Sequence, residues 1–455
     1  MGDFQKNWLI PLIFFQLYLS LSVFLFFFGP WPWDVANPGE LFGYLLLAQL
    51  SIAVGYFLAW RYVKVKLLNY NYSGDKSDQK IESYIPFIKK SILISLVFLI
   101  PTTLSRTGTI FPNILDGLAK TGETYVSNYE RLQVGNPYVF VEYLRMAASL
   151  YLTAVFPLVV TYWSRLSVKF RFLGCLAIIY NIAIYVSIGT NKGIADAVMT
   201  LPWMLYLAGI SGLSKHKFKI RKIFLAFIPL LMLFFQFFGN SQLQRQGGAG
   251  ENGVIDVGVK NIVFADSGNF ISQVLPDSQR IVFESICRYM GSGYYALSET
   301  MFIDSPSTLG FGNSMFLARQ ANLLMNTDFF TEQSLPGRLE TQSGFGMYRL
   351  WHSIYPWIAS DFGFLGALFI IGLFSFVFSV SWGSSIITKS PLWITMVYIS
   401  LIIFYYIPAN NQVFQSGEGC FSFFLTIAAI YSVSSKNRSA KTRLLQGRGA
   451  GIGRN

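Results

Sequence analysis

Ile223-Phe-Leu-Ala-Phe-Ile-Pro-Leu-Leu-Met-Leu-Phe-Phe-Gln-Phe-Phe238 is an apolar run, after which the chain stays polar from about Asn240 to Leu350. Apolarity then returns, and Tyr348-Arg349-Leu350-Trp351-His352 opens the next hydrophobic segment. A membrane-length run, a long polar excursion and a second membrane-length run describe a chain that leaves the bilayer and comes back.

Working outward, further apolar segments lie near residues 9–29, 39–60, 87–105, 138–162, 172–189, 193–210 and 222–239, and beyond the loop near 351–380, 391–408 and 417–433. Runs of about 18 residues or more can cross the hydrocarbon core. In lipid they must be helical, because each backbone polar group has to be bonded inside the segment. Composition agrees: 53% of the 455 residues are hydrophobic and 13% are charged, against about 25% charged in soluble domains. The expected fold is an all-α polytopic membrane protein with about ten transmembrane helices. It divides into N-terminal transmembrane helices (1–239), a large outer loop (240–350), C-terminal transmembrane helices (351–433) and a basic tail (434–455). Leu9–Gly29 is long enough to span and lacks a small-residue cleavage site, so it reads as a helix rather than a signal peptide.

The net charge of +12 could suggest nucleic acid, but its placement and the lack of a binding motif argue against that partner. With a cytoplasmic N-terminus, Arg61, Lys64, Lys66, Lys76, Lys80, Lys89, Lys90, Arg165, Lys169 and Arg171 fall on the inner side. So do Lys215, Lys217, Lys219, Arg221, Lys222, Lys436, Arg438, Lys441 and Arg443. That is the positive-inside pattern, with both termini cytoplasmic. The large loop holds seven Lys/Arg and ten Asp/Glu and falls outside. The basic excess thus serves topology and attraction to membrane lipid. Three cysteines without a CxxC pair give neither a disulfide framework nor a metal site. A single histidine in the outer region also argues against zinc, so neither metal nor cofactor is expected.

Within the outer loop, Gln244–Gly253 is glycine-rich, Asp277–Thr300 reads as a helix, Thr308-Leu-Gly310-Phe-Gly312-Asn as a turn, and Met315–Leu324 as a second helix. Charges in or at the edge of spans are functional candidates by default. Glu142 and Arg145 stand three apart on one helical face. Lys192 opens a helix, where it either shares an anion with the N-terminus or pairs with Asp196 one turn on. Arg288 has the paired donors that fit a phosphate, or else it bridges to Glu284. His352 is suited to taking a proton from a hydroxyl, or else it anchors the interface beside Trp351, Tyr355 and Trp357.

Three stretches carry a resemblance. They are His352-Ser-Ile-Tyr-Pro-Trp-Ile-Ala-Ser-Asp-Phe-Gly363-Phe-Leu-Gly366, Arg288…Ala296-Leu297…Pro306…Gly310-Phe-Gly312, and Gly189-Thr-Asn-Lys192-Gly193. In order and spacing, over roughly residues 180–375, the chain resembles O-antigen polymerases and O-antigen ligases. It departs from them in having Lys192 for the usual arginine and Ser353 for the common asparagine.

The resemblance implies a metal-independent glycosyltransferase with a multi-helical membrane fold of the GT-C kind, in the bacterial inner membrane with its large loop in the periplasm. Its substrates would be undecaprenyl-pyrophosphate-linked glycans, with a chain-length regulator as a possible further partner. His352 and Arg288 would be catalytic. Lys192, Arg280, Arg245, Arg319, Arg338, Arg349, Arg145 and Glu142 would bind pyrophosphate or glycan. An O-antigen ligase acting on lipid A-core, a lipid-linked-oligosaccharide transporter and a non-enzymatic assembly subunit are the alternatives. The absence of an internal repeat counts against a transporter.

Overall fold

The computed structural model describes residues 2–72, 77–215, 220–245, 254–256, 262–266, 268–304 and 306–451. Seventeen α-helices are present among them. α1 (Gly2–Phe28), α2 (Pro38–Tyr72) and α3 (Ser77–Thr107) are followed by two shorter helices, α4 (Ile114–Ala119) and α5 (Thr121–Val134). α6 (Val139–Thr161), α7 (Val168–Ser187), α8 (Lys192–Ile210) and α9 (Ile220–Arg245) lead into the large loop. The loop holds an antiparallel pair, β1 (Val254–Asp256) and β2 (Ile262–Phe264), then α10 (Phe270–Val274), α11 (Asp277–Thr300), α12 (Met315–Met325), α13 (Phe329–Glu332) and α14 (Leu335–Ser343). α15 (Ile354–Thr388), α16 (Pro391–Tyr406) and α17 (Gly417–Gly451) complete the chain.

Nine helices among the described residues are long and apolar enough to cross a membrane. The tenth segment expected, α16, is apolar but only 16 residues long. It measures about 24 Å against a hydrocarbon core of about 30 Å. The multi-spanning character read from composition therefore stands. The loop, read as helical, also contains a short hairpin that its sequence did not announce.

Two features organise the bundle. α2 and α15 pack at backbone distance: a Cβ on Gly55 would lie 2.0 Å from the carbonyl oxygen of Gly372. Ser375 and Ser379 donate to the carbonyls of Ile52 (2.7 Å) and Tyr56 (3.0 Å) across the same seam. Small residues permit such an approach where lipid offers no hydrophobic drive between helices. The second feature is a break in α15 at Gly363, whose φ of 65° and ψ of 171° lie outside the helical region. Only glycine adopts that conformation without strain. Residues 354–362 thus form a separate, largely buried helix, and the spanning portion begins beyond the break.

The large loop is pinned to the turns between spans at one face of the bundle. The Trp31 indole donates to the Glu284 carbonyl (2.8 Å), the Asp266 amide to the Pro30 carbonyl (2.6 Å) and the Ser314 hydroxyl to the Phe414 carbonyl (2.6 Å). At the opposite end, Lys66 reaches the Ser384 hydroxyl (2.8 Å) and lies over the Trp393 ring (4.4 Å).

Candidate functional site

A cavity of about 590 Å³ lies among α3, α6, α7, α8, α16 and α17 under the loop face. Its mouth is charged: Arg106, Glu142, Lys192, Asp196, Arg319 and Glu418 line it. Its depth is apolar, with Leu152, Phe156, Ile178, Ile182, Ile399 and Ile402 on the walls. Along α6 the lining runs from Glu142 to Phe156, about 21 Å of helix. A polar head and a long apolar groove thus share one chamber.

The mouth is assembled from the ends of four spans. Arg106 closes α3, where Arg131 of α5 donates to its carbonyl and, at 3.4 Å, to that of Ser105, satisfying acceptors left over at the helix end. Arg106 bonds Glu142 through Nε (3.3 Å) and Nη2 (3.2 Å), reaches Glu418 (3.3 Å) and lies over the Tyr185 ring. Arg145 is buried and bridges Glu418 at 2.5 Å and the Thr102 hydroxyl at 2.6 Å. Its Nε lies 3.8 Å from Glu142, the pair expected from their spacing. Ser105 donates to Glu142 at 3.2 Å. Lys192 pairs with Asp196 at 2.8 Å, so the ion pair is made, and both residues also face the chamber. Arg319 lies over the Tyr348 ring at 4.7 Å and makes no ion pair among the described residues. With Arg145 behind the mouth, four cations meet three carboxylates, leaving a net positive field for an anion.

Arg106 and Glu418 escaped the sequence reading, although each is a charge at the edge of a span. Arg106 looked like the first residue of a loop and Glu418 like the start of the last helix. Their meeting, across 312 positions, is a product of the fold.

The structure gathers only part of the expected set here. Glu142, Lys192 and Arg319 line the cavity and Arg145 braces it. Arg280 is held on α11 by Asp277 (3.3 Å) and Glu284 (3.8 Å). Arg338 donates to Gln333 (3.0 Å), and Arg349 is exposed. The Arg245 side chain lies outside the described residues, as does His216.

Arg288 and His352 belong to a second polar group. The Ser353 amide donates to the Gly293 carbonyl (3.3 Å), and Tyr289 packs on Trp351 (4.6 Å), so residues 351–353 run beside 289–293 of α11. Glu284 pairs with Arg280 instead of Arg288, and Arg288 has no hydrogen bond or ion pair among the described residues. Burial pushes its pKa down to about 10, which leaves it charged at neutral pH.

His352, read as a proton acceptor or an interfacial anchor at the start of a span, is 1% exposed. The turn after α14 lays Phe345 against it, ring centroids 5.0 Å apart and perpendicular. Burial pushes its pKa down to about 3, against a smaller upward pull from the Gly346 backbone. Apart from that Gly346 backbone contact, the two ring nitrogens, Ser292 Oγ, Ser353 Oγ and Trp357 Nε1 are buried without well-formed hydrogen bonds among the described residues. Native interiors seldom leave so many polar atoms unsatisfied in one place.

Comparison of the chain with family models, with curated proteins and with solved structures finds no match.

Proposed function

We propose that this protein is an oligosaccharide repeat-unit polymerase. It would join undecaprenyl-pyrophosphate-linked units into O-antigen or a similar surface polysaccharide at the periplasmic face of the inner membrane. The observation that carries this is the shape and chemistry of the chamber: a cation-rich mouth at Glu142 and Arg106, and an apolar end at Leu152, Val155 and Phe156 reached about 21 Å along α6. A pyrophosphate on a polyprenyl chain needs both, in that order.

In this reaction the terminal hydroxyl oxygen of the acceptor glycan bonds to the anomeric carbon of the donor. The bond from that carbon to the pyrophosphate oxygen breaks, and undecaprenyl pyrophosphate leaves with the electron pair. Arg106, Lys192 and Arg319 take up the charge that grows on the leaving group. Glu142, the most open of the mouth's carboxylates at 27% exposure, accepts the hydroxyl proton. Arg145 keeps Glu142 and Glu418 in place. Ser292, His352 and Ser353 are buried and lie outside the chamber's lining, so with Arg288 they support the site from the loop rather than touch the glycan, His352 as a neutral ring.

Deletion of the gene tests the proposal through the ladder of surface glycan. The expected product is a core carrying a single repeat unit. Bare core with long glycan stranded on the lipid carrier would assign ligation instead, and an unchanged ladder would sink both. Arg319→Ala, which removes an exposed cation that has no ion partner among the described residues, is expected to shorten the chains at normal expression.

A further inference from the structure

From the end of α3 through α4 the chain exposes five large apolar side chains: Ile110, Phe111, Ile114, Leu115 and Leu118. Phe111 is 71% and Leu115 80% exposed. The segment does not project away from the bundle. The Tyr180 hydroxyl of α7 donates to the Ile110 carbonyl at 3.4 Å. A Cβ on Gly117 would strike the Val186 carbonyl of the same helix. The segment therefore lies along the outer turns of α7, a helix whose Ile179 and Phe172 also face outward.

A second observation concerns its backbone. Four consecutive carbonyls, Ile110 to Asn113, accept a hydrogen bond from within the protein. Tyr180 donates to Ile110, Thr109 Oγ1 to Phe111 (2.8 Å), the Ile114 amide to Pro112 (3.1 Å) and the Gly117 amide to Asn113 (3.3 Å). Irregular surface chain normally leaves such groups to water. Internal satisfaction is the requirement that hydrocarbon imposes.

We infer that the apolar face of residues 109–119 forms a wedge in the outer edge of the bilayer, with lipid acyl chains covering the five apolar side chains. Exposed Asn113 and Asp116, paired with each other, stay on the water side. The lipid-facing side of α7 continues directly into the wedge, which makes the bilayer its occupant. Lys120, exposed and paired with Glu123 (3.5 Å), marks the return to water. The next helix, α5, contributes Asn128 to the cavity wall and Arg131 to the end of α3, so the wedge tethers one wall of the chamber to the membrane.

The test uses full-length protein in nanodiscs, with Cys175, Cys287 and Cys420 replaced by alanine. Leu115→Cys, Phe111→Cys and Lys120→Cys are each labelled with bimane. Lipids carrying a nitroxide near the top of the acyl chain are expected to quench the labels at positions 111 and 115 several-fold more than the label at 120. Equal quenching at all three positions overturns the proposal. So does an unquenched label at 115, whether open to a water-soluble thiol reagent or shielded from it by a protein partner or second copy. Two independent wedge positions keep the outcome readable if one variant misfolds.

Discussion

Asp361 Oδ1 accepts hydrogen bonds from the Thr308 hydroxyl at 2.5 Å and from the Gly310 amide at 2.9 Å. Its other oxygen accepts from the Asn313 amide (2.8 Å) and side chain (2.9 Å). One carboxylate thus gathers the turn 308–313, and Asn313 in turn accepts from Asn411 (2.8 Å), beside the loop that carries Gln412 and Ser416 to the cavity. Hydrogen bonds to a charged acceptor contribute about 1.5–3 kcal/mol each. Asp361→Asn is expected to weaken the turn by roughly 2 kcal/mol or more. Amide hydrogen exchange at 310 and 313 should then accelerate about 30-fold. Unchanged exchange would show that the turn holds itself.

Acidification should loosen the His352 junction. The folded ring has its pKa pushed down to about 3, while the unfolded chain titrates near 6.5. Below about pH 6.5 the unfolded state therefore binds the extra proton. Stability from the neutral ring is fully present above that pH and drains away as pH falls towards about 3. Between pH 7 and 5 the loss should be about 2 kcal/mol. His352→Phe, which keeps an aromatic ring against Phe345, should flatten that part of the pH profile. Parallel profiles for both proteins would contradict the burial argument.

Removing Arg145 should cost more stability than any other single change at the mouth. Arg145→Met leaves Glu418 and Glu142 short of a buried partner, a loss of about 3–5 kcal/mol. Lysine should rescue little of it, since one ammonium cannot serve Thr102 and both carboxylates with the arginine fork. Thermal unfolding in detergent reads this directly. Arg319→Ala, by contrast, should leave the melting temperature unchanged.

At Gly363 the positive φ makes any Cβ costly. Gly363→Ala should destabilise by about 1–2 kcal/mol through backbone strain alone, because nothing lies within 4 Å of the added carbon. Gly55→Leu fails for a different reason: its side chain would occupy the position of the Gly372 backbone, and α2 and α15 would have to part. Yield of folded protein in detergent separates the mild case from the severe one.

Much of the architecture was legible because membrane spans are read from one-dimensional apolarity. Helix α11 was legible too, with the boundaries Asp277 and Thr300 taken from its pattern. α5 was not. Its Thr-Gly-Glu-Thr start and scattered polar residues resemble a loop, and its helical state depends on packing over Gly189 and the end of α3. The site was legible only where partners are neighbours in sequence, as in Lys192–Asp196 and Glu142–Arg145. Contacts such as Arg106–Glu418 or Asp361–Thr308 join distant segments, so no local pattern announces them. For His352 the type of residue and its place beside a span suggested chemistry. What the pattern could not contain was the packing of Phe345 over the ring.

The break at Gly363 sets an order of assembly. Residues 364–388 carry what they need to enter the bilayer as soon as they are synthesised. The nine residues before them do not, because they are buried by protein rather than lipid. The Ser360 hydroxyl receives the Leu335 amide from chain already made, but the Ile354 amide waits for the Ile407 carbonyl, and Gly293 packs against Pro408. The cap formed by the large loop can therefore close only after the ribosome has passed residue 408. Until then the buried histidine and its neighbours stay wet, and a chain truncated before that point should be recognised by quality control as unfinished at its loop face alone.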